Sequence, residues 1–147
     1  MYHYFESGLP NVYLANGYEW HDTPYGPAIS IHEAEALHEA IACTLVEQKP
    51  WLTGREVRFL RHYLDLSQAQ LGELLGVQDQ SVRRWEKLGR VPRAADHAVR
   101  LVFRDLTASS SLRLPELVQH LAQQESPDSL HYRFRPRARK ERWQAAA

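Results

Sequence analysis

Residues 64–92 read LDLSQAQLGELLGVQDQSVRRWEKLGRVP and contain the signals for two short helices separated by a turn. Ser67 has the side chain of a helix N-cap, and Leu71 and Leu75 follow it at helical spacing. Gly76 then stops the helix, because glycine adopts a positive φ without steric cost. The first helix is therefore predicted to begin after Ser67 and to end at Gly76.

A second helix is predicted from about Asp79 to Lys87. Val82 and Trp85 are three residues apart and form its inward face, so Trp85 is expected in the core. The outward face is polar and consists of Gln80, Ser81, Arg83, Arg84 and Lys87. In the major groove of DNA, Arg can donate two parallel hydrogen bonds to guanine, and Gln can pair with adenine. The stretch therefore predicts a helix-turn-helix whose second helix contacts DNA.

This stretch resembles the Cro and phage-repressor class of helix-turn-helix domains, also called Xre-like. The resemblance covers about residues 52–106 and depends on three motifs, Ser67-Gln68, Leu75-Gly76-Val77 and Trp85-Glu86-Lys87. Within this class the chain is similar to MqsA-like and HigA-like antitoxin regulators, and the lead-in Leu52-Thr53-Gly54-Arg55-Glu56 favours the MqsA-like side. The family often has Glu-Lys-Gly where this chain has Glu86-Lys87-Leu88-Gly89, which is one residue more.

The resemblance implies roles for individual residues. By family position, Gln80 and Arg84 read bases, with Asp79 and Arg83 as contributors. The residues expected to contact phosphates are Gln68, Ser81, Lys87 and Arg90. For Arg61 two roles stay open, the ion pair with Glu86 that is common in this family and a phosphate contact.

The resemblance also implies a sequence-specific transcriptional repressor that binds double-stranded DNA as a homodimer. Its two second helices would enter successive major grooves of an inverted repeat. Three classes of function stay open. An autoregulating antitoxin would bind a toxin protein as well as its operator, a stand-alone or phage-type repressor would bind DNA alone, and an RNA-binding or protein-interaction module would keep only the scaffold.

The chain divides by charge into three segments. Residues 1–50 contain one Lys or Arg against seven Asp or Glu, residues 51–106 contain ten against seven, and residues 107–147 contain seven against four. Because phosphate contacts supply much of the energy of DNA binding, the second and third segments are expected to face DNA. The predicted fold is α+β and mainly α, a bundle of four to five helices with a small N-terminal β-hairpin plus helix and a basic C-terminal tail.

Two helices are predicted to support the helix-turn-helix within residues 51–106. Thr53 can cap a helix that runs to about Tyr63. After the motif, an apolar repeat predicts a closing helix from Ala94 to Leu106. Residues 51–106 are thus predicted to be the DNA-binding domain.

The acidic N-terminal segment is predicted to contain a hairpin and a helix. Val12–Ala15 and Tyr18–His21 flank Asn16-Gly17, a strong signal for a two-residue hairpin turn. A third strand is predicted near Ala28–Ile31, followed by a helix from His32 to about Glu47. So small a sheet cannot bury much core alone, and it is expected to pack on a second copy of the chain, on the helical bundle or on a partner protein.

The C-terminal segment contains an alternating, strand-like stretch from His131 to Arg135 and a basic run. The cations of the strand-like stretch and the basic run together are Arg133, Arg135, Arg137, Arg139, Lys140 and Arg142. Three interpretations stay open, a basic arm on the DNA backbone or in the minor groove, an extra strand docked on the N-terminal hairpin, and disorder. Leu114–Gln124 is predicted to form a short amphipathic helix that suits a dimer interface.

Catalytic and metal chemistry find little support in the sequence. It contains no Gly-x-Ser-x-Gly elbow, phosphate-binding glycine loop or dinucleotide fingerprint, so neither an enzyme nor a cofactor is expected. His32 and His38 with Glu33 and Glu35 form the one cluster of possible ligands, but their spacing is poor for a metal ion. Cys43 is the single cysteine and is expected to be a core thiol.

Features of membrane and secreted proteins are also missing from the sequence pattern. No apolar run approaches the length of a membrane span, and the N-terminus is polar and aromatic rather than basic and then apolar. The expectation is a soluble, cytoplasmic protein whose partners are DNA and a second copy of itself.

Overall fold

The computed structural model describes residues 1–107, 132–136 and 143–146, and the fold over these ranges is α+β with five α-helices. The contacts between residues in space divide the chain into two compact units. The first contains residues 1–41 and the C-terminal strands, and the second begins at Ala42. The C-terminal strands are thus grouped with the N-terminal segment, whereas the sequence suggested a separate region over residues 107–147.

The helices of the second unit follow the capping signals of the sequence. Its helices are the end of α1 (Ala34–Gln48), α2 (Gly54–Tyr63), α3 (Gln68–Leu75), α4 (Asp79–Leu88) and α5 (Arg93–Thr107). The Thr53 and Ser67 side chains accept hydrogen bonds from the first turns of α2 and α3, and Ser67 forms a capping box with Gln70. Gly76 ends α3 with a φ of 72°. All four helices predicted for this unit are confirmed within about two residues at each end.

Apolar side chains from α2, α3, α4 and α5 form the core of the second unit. Leu60, Leu71, Val82 and Phe103 are buried, and Trp85 is only 8% exposed. Trp85 is therefore a core residue, as its spacing from Val82 predicts. Cys43, in contrast, is half-buried rather than fully enclosed.

Two of the buried ion pairs of the second unit involve α5 and the residue that follows α1. Arg100 is fully buried, where it pairs with Asp96 over 2.6 Å and donates to Val46 O over 2.8 Å. Lys49 lies 3.0 Å from Glu56, and both side chains are at most 5% exposed. Burial raises the pKa of the Glu56 carboxyl, against the opposing attraction of the Lys49 ammonium. Breaking a buried pair leaves an uncompensated charge, so these contacts restrict how the helices can pack.

Gly54 allows the backbone of α2 to touch the end of α4. Its N–H donates to Gly89 O over 3.1 Å. A Cβ atom on Gly54 would overlap the α4 backbone, because it would lie only 2.0 Å from Trp85 O. No real Cβ atom tolerates this distance, so only glycine fits here without a shift of one helix.

The described residues of the first unit form two sheets. Its strands are β1 (Tyr2–His3), β2 (Val12–Leu14), β3 (Tyr18–Thr23), β4 (Gly26–Ile31), β5 (Tyr132–Pro136) and β6 (Trp143–Ala146), and a short 3-10 helix covers Phe5–Ser7. One sheet has the order β1-β2-β5-β6, in which only β2 and β5 are parallel among the described strands. The other is the antiparallel pair β3 and β4.

The predicted hairpin turn at Asn16-Gly17 is wrong. Val12 and Leu14 are buried, and their strand pairs with β1 and β5 rather than with β3. The two-residue turn lies instead between β3 and β4, and Gly26 follows it with a φ of 109°. Burial of β2 beside a distant strand therefore outweighs the local turn preference of Asn16-Gly17. The predicted third strand and the following helix are present as β4 and α1.

The C-terminal strands complete the larger sheet. Phe134 of β5 is 1% exposed, and Trp143 of β6 donates from Nε1 to His32 O over 2.8 Å. Residues 132–136 thus form a docked strand, and its partner β2 is the first of the two strands predicted for the N-terminal hairpin, although that strand does not pair with β3. Arg133 is exposed on this strand, and Arg135 is also part of it.

Two sequence predictions lie outside the described residues. They are the helix over Leu114–Gln124 and the cations Arg137, Arg139, Lys140 and Arg142. Within the described ranges, no helix is long and apolar enough to cross a membrane.

The Gly54→Ala substitution should destabilise the protein, although Ala in a helix normally stabilises by about 0.5–1 kcal/mol relative to Gly. The overlap with Trp85 O forces the backbones apart, and overpacking of this kind costs about 1–3 kcal/mol. Urea unfolding measures the difference. Arg55→Ala, at the exposed neighbouring position, is the control and should change stability by less than about 0.5 kcal/mol. Equal stability of Gly54→Ala and wild type would contradict the close approach.

His38 should make stability depend on pH. Its ring lies 2.9 Å from the Tyr4 hydroxyl, and burial lowers its pKa from the ordinary value of 6.5, against an opposing effect of Glu35. The unfolded chain therefore takes up a proton at a pH where the folded chain does not. The free energy of unfolding should fall as the pH drops below about 6.5.

Replacing His38 with Gln should weaken this dependence. Unfolding of wild type and His38→Gln at several pH values between about 5 and 7.5 gives the comparison. Both proteins keep the other histidines, so the difference in slope reports His38. Identical slopes would show that folding does not perturb His38.

Candidate nucleic-acid interface

The outward face of α4 is polar and exposed. Val82 and Trp85 turn inward, and so does the Glu86 side chain, which is 6% exposed. Gln80, Arg83, Arg84 and Lys87 are exposed, whereas Asp79 and Ser81 are half-buried. The structure thus places the four predicted base-reading residues on one helix, together with Ser81 and Lys87 of the predicted phosphate contacts.

Gln80 and Arg84 have unoccupied side chains. No hydrogen bond or ion pair joins either side chain to another residue in the described part of the chain. Gln80 uses only its backbone N–H, which donates to Asp79 Oδ1 over 2.9 Å. An amide and a guanidinium at the same helix surface therefore keep all their donors and acceptors for a ligand.

A buried ion pair joins the inner side of α4 to α2. The Nε and Nη2 atoms of Arg61 on α2 donate to the two carboxylate oxygens of Glu86, each over 2.9 Å. The Nη1 atom of Arg61 donates to Leu66 O over 3.0 Å. Because Arg61 is 8% exposed, its guanidinium is committed to the protein interior. Of the two roles left open for Arg61, the structure shows the ion pair.

Gln68 extends this contact towards the surface. Its amide nitrogen lies 3.4 Å from Glu86 Oε1, and its amide oxygen accepts from Arg83 Nε over 3.4 Å. Arg83 also lies 3.8 Å from Asp79 one turn earlier on α4. Arg83 therefore has two side-chain partners, Gln68 and Asp79, which distinguishes it from Arg84.

The end of α4 carries the remaining predicted phosphate contacts. Leu88 is the last residue of the helix, and Gly89 closes it with a φ of 78° and a hydrogen bond to Trp85 O. Lys87 and Arg90 are exposed on either side of this end. Leu88, which lies between Lys87 and Gly89, is thus part of α4 and is 65% exposed.

Two features of this site were not found in the sequence. One is the contact of Gln68 with both Glu86 and Arg83, because spacing alone does not show which polar side chains meet between helices. The other is the close approach at Gly72, where a Cβ atom would lie 2.8 Å from Val77 O in the turn before α4. A glycine inside a predicted helix was the available signal, since it lowers helix stability unless it has a packing role.

Possible metal ligands do not cluster in the described ranges, where no three His, Cys, Asp or Glu residues are arranged to hold an ion. No protein-family model matches the chain, and no curated protein or solved structure matches it either.

Replacing Arg61 with Met should strongly destabilise the protein. The change leaves the Glu86 carboxylate without its main partner at a side chain that is 6% exposed, and breaking a buried pair costs about 3–5 kcal/mol. Guanidinium unfolding measures the loss. Arg58→Met on the exposed side of the same helix is the matched control, with an expected change below about 0.5 kcal/mol. Similar losses for both variants would mean that the ion pair does not hold α4.

Proposed function

We propose that this protein is a sequence-specific, double-stranded-DNA-binding transcriptional regulator of the Xre-like class. In this proposal, α3 and α4 are the helix-turn-helix, α4 is the recognition helix, and two copies repress transcription from an inverted repeat. The observation that carries the proposal is that the Gln80 and Arg84 side chains are exposed and form no hydrogen bond or ion pair with a described residue. They lie on a helix whose inner side is fixed by the buried pair of Arg61 and Glu86.

The chemistry of these two side chains suits base edges. Arg84 can donate two parallel hydrogen bonds to O6 and N7 of guanine, and Gln80 can donate to N7 and accept from N6 of adenine. Neither side chain has to give up a hydrogen bond to a described residue to do so. The fixed backbone of α4 also lowers the entropy lost on binding, which favours discrimination between sequences.

The charges around α4 support contact with phosphates. Lys87 and Arg90 are exposed cations at its C-terminal end, and neither forms an ion pair with a described residue. We assign phosphate contacts to these two first. Gln68 would have to exchange its two 3.4 Å hydrogen bonds for a phosphate, so its role in DNA binding is secondary to its role in holding Arg83.

Selection of binding sites from random DNA duplexes tests the proposal. Purified full-length protein should enrich one sequence with two-fold symmetry and half-sites about 34–36 Å apart. Parallel selection from random RNA serves as the control for a nucleic-acid-binding module of another kind. Enrichment of RNA alone, or of no sequence, would refute a DNA-binding repressor.

The Arg84→Ala variant should lose about 1–3 kcal/mol of binding free energy on the selected site and little on random DNA. Fluorescence anisotropy at fixed salt measures both affinities. Lys87→Ala is the matched variant, because loss of a phosphate contact weakens binding to all sequences similarly. It should also reduce the slope of the logarithm of the binding constant against the logarithm of salt concentration by about one. An equal loss on both DNAs for Arg84→Ala would identify Arg84 as a phosphate contact.

A further inference from the structure

The hairpin of β3 and β4 is a two-stranded sheet separate from the larger sheet of the first unit. Among the described residues each strand pairs only with the other, so each has one open edge. A two-stranded hairpin is marginal in water alone, and it gains stability when further strands extend it. The open edges are therefore places where another strand can pair.

The hydrogen-bond pattern shows which backbone groups of β3 face its open edge. His32 N donates to Gly17 O over 2.9 Å, which makes these residues a hydrogen-bonded pair of the antiparallel ladder. Hydrogen-bonded and non-hydrogen-bonded pairs alternate along such a ladder. It follows that Tyr18, Trp20 and Asp22 direct their N–H and C=O groups away from β4.

The two open edges differ in their ability to accept another strand. By the same alternation, Pro27, Ile29 and Ile31 face the open edge of β4. Pro27 has no N–H, and proline at an edge is a common obstacle to strand addition. Residues 18–23 of β3 contain neither proline nor lysine. The edge of β3 is therefore the one that can accept a strand.

Apart from the half-buried Tyr18, the side chains of β3 are exposed on both faces. Trp20 is 59% exposed despite its size. The Tyr2 ring lies beside it, with its centroid 5.5 Å from that of Tyr18 and 5.7 Å from that of Trp20. On the other face, the side chains of His21 and Glu19 are 53% and 59% exposed. A strand that pairs with β3 would cover apolar surface on one face and meet both an acid and an imidazole on the other.

We propose that β3 pairs antiparallel with β3 of a second copy of this chain, about a two-fold axis at Trp20. In this register Trp20 lies opposite Trp20 of the second copy, and Tyr18 lies opposite Asp22. The outward N–H and C=O groups of the two strands then exchange about six hydrogen bonds. The two hairpins become one four-stranded sheet with the order β4-β3-β3-β4.

The side chains of β3 favour this register over its neighbours. Glu19 lies opposite His21 of the second copy on each side of the axis, so each carboxylate faces an imidazole and not a second acid. Within one copy Glu19 already lies 3.9 Å from His21 and 3.3 Å from His32. His21 Nε2 also lies 2.8 Å from Ser30 Oγ, so the cross-strand contact would add to these. An axis at Glu19 would place two carboxylates directly opposite each other, which is destabilising. An axis at His21 would place Tyr18 opposite Pro24, which has no N–H to donate. The axis at Trp20 is thus the one that satisfies both the backbone and the charges.

This inference deepens the proposed function and rests on its homodimer, because it names the surface that joins the two copies. Dimerisation through β3 is measured on the full chain without DNA, whereas DNA recognition is measured by site selection on duplexes. Failure of the β3 pairing can therefore be distinguished from failure of DNA binding.

A cysteine cross-link tests the position of the axis. Opposite residues of a hydrogen-bonded pair have Cα atoms about 5.5 Å apart, within the range of about 4.4–6.8 Å that a disulfide spans. Oxidised glutathione should therefore convert most of a Cys43→Ser/Trp20→Cys protein to a species of twice 17.1 kDa on a non-reducing gel. Cys43→Ser/Ile29→Cys is the matched control, because Ile29 pairs with Trp20 within the hairpin but lies at the blocked edge. It should remain at the monomer position.

Charge reversal tests the register while keeping Trp20. His21→Glu places a carboxylate opposite Glu19 of the second copy, and it should raise the dissociation constant of the dimer about tenfold or more, measured by sedimentation velocity. Adding Glu19→Lys restores opposite charges and should recover the dimer. Circular dichroism of each variant checks that the fold is kept.

Cross-linking confined to position 20 and recovery in the double variant would support the pairing. Equal cross-linking of both cysteine variants, or a wild-type chain that sediments as a monomer at tens of micromolar, would overturn it. A dimer that His21→Glu leaves unchanged would also overturn it, because the two copies would then meet through another surface. In that case a DNA-binding dimer would still be possible.

Discussion

The ion pair between Arg61 and Glu86 is the contact on which the arrangement of the second unit depends. A planar guanidinium and a carboxylate that share two hydrogen bonds fit together in one orientation, so the pair fixes how α4 is rotated against α2. Gly54 sets the distance between the same helices, since its backbone touches that of Trp85 and Gly89. Rotation and distance together determine which side chains of α4 face outward.

The same contact gives the two adjacent arginines of α4 different properties. Gln68 bridges Glu86 and Arg83, and Asp79 lies on the other side of Arg83. Arg83 is thus positioned before any ligand arrives, whereas Arg84 has no partner in the described structure. On the proposed function, Arg84 would discriminate between bases because all its donors are available. Arg83 would contribute mainly position and charge, since part of its hydrogen-bonding capacity is already used.

The sequence predicts those parts of the fold that local chemistry decides. Ser67 and Gly76 mark the ends of α3 because capping and positive φ act within one turn, and Val82 and Trp85 mark the inward face of α4 by spacing alone. Asn16-Gly17 is the contrasting case, since β2 pairs with a strand more than a hundred residues away in sequence. The outward side chains of α4 were predictable in the same way. The hydrogen bonds of Gln68 were not, because they depend on how two helices meet.

The two proposed contacts, DNA binding through α4 and dimerisation through β3, lie in segments of opposite charge. Residues 1–50 are rich in acids and contain β3, whereas the cations around α4 belong to a basic segment. An acidic pairing surface repels phosphates, so DNA would not compete with the second copy for β3. The two contacts also respond differently to salt. Backbone hydrogen bonds between strands are neutral and depend weakly on ionic strength. Phosphate contacts weaken steeply with rising salt, because the entropy gained by releasing counterions from DNA falls as their concentration in solution rises. A dimer joined through β3 would therefore persist at salt concentrations that release DNA, and it would rebind as a preassembled pair.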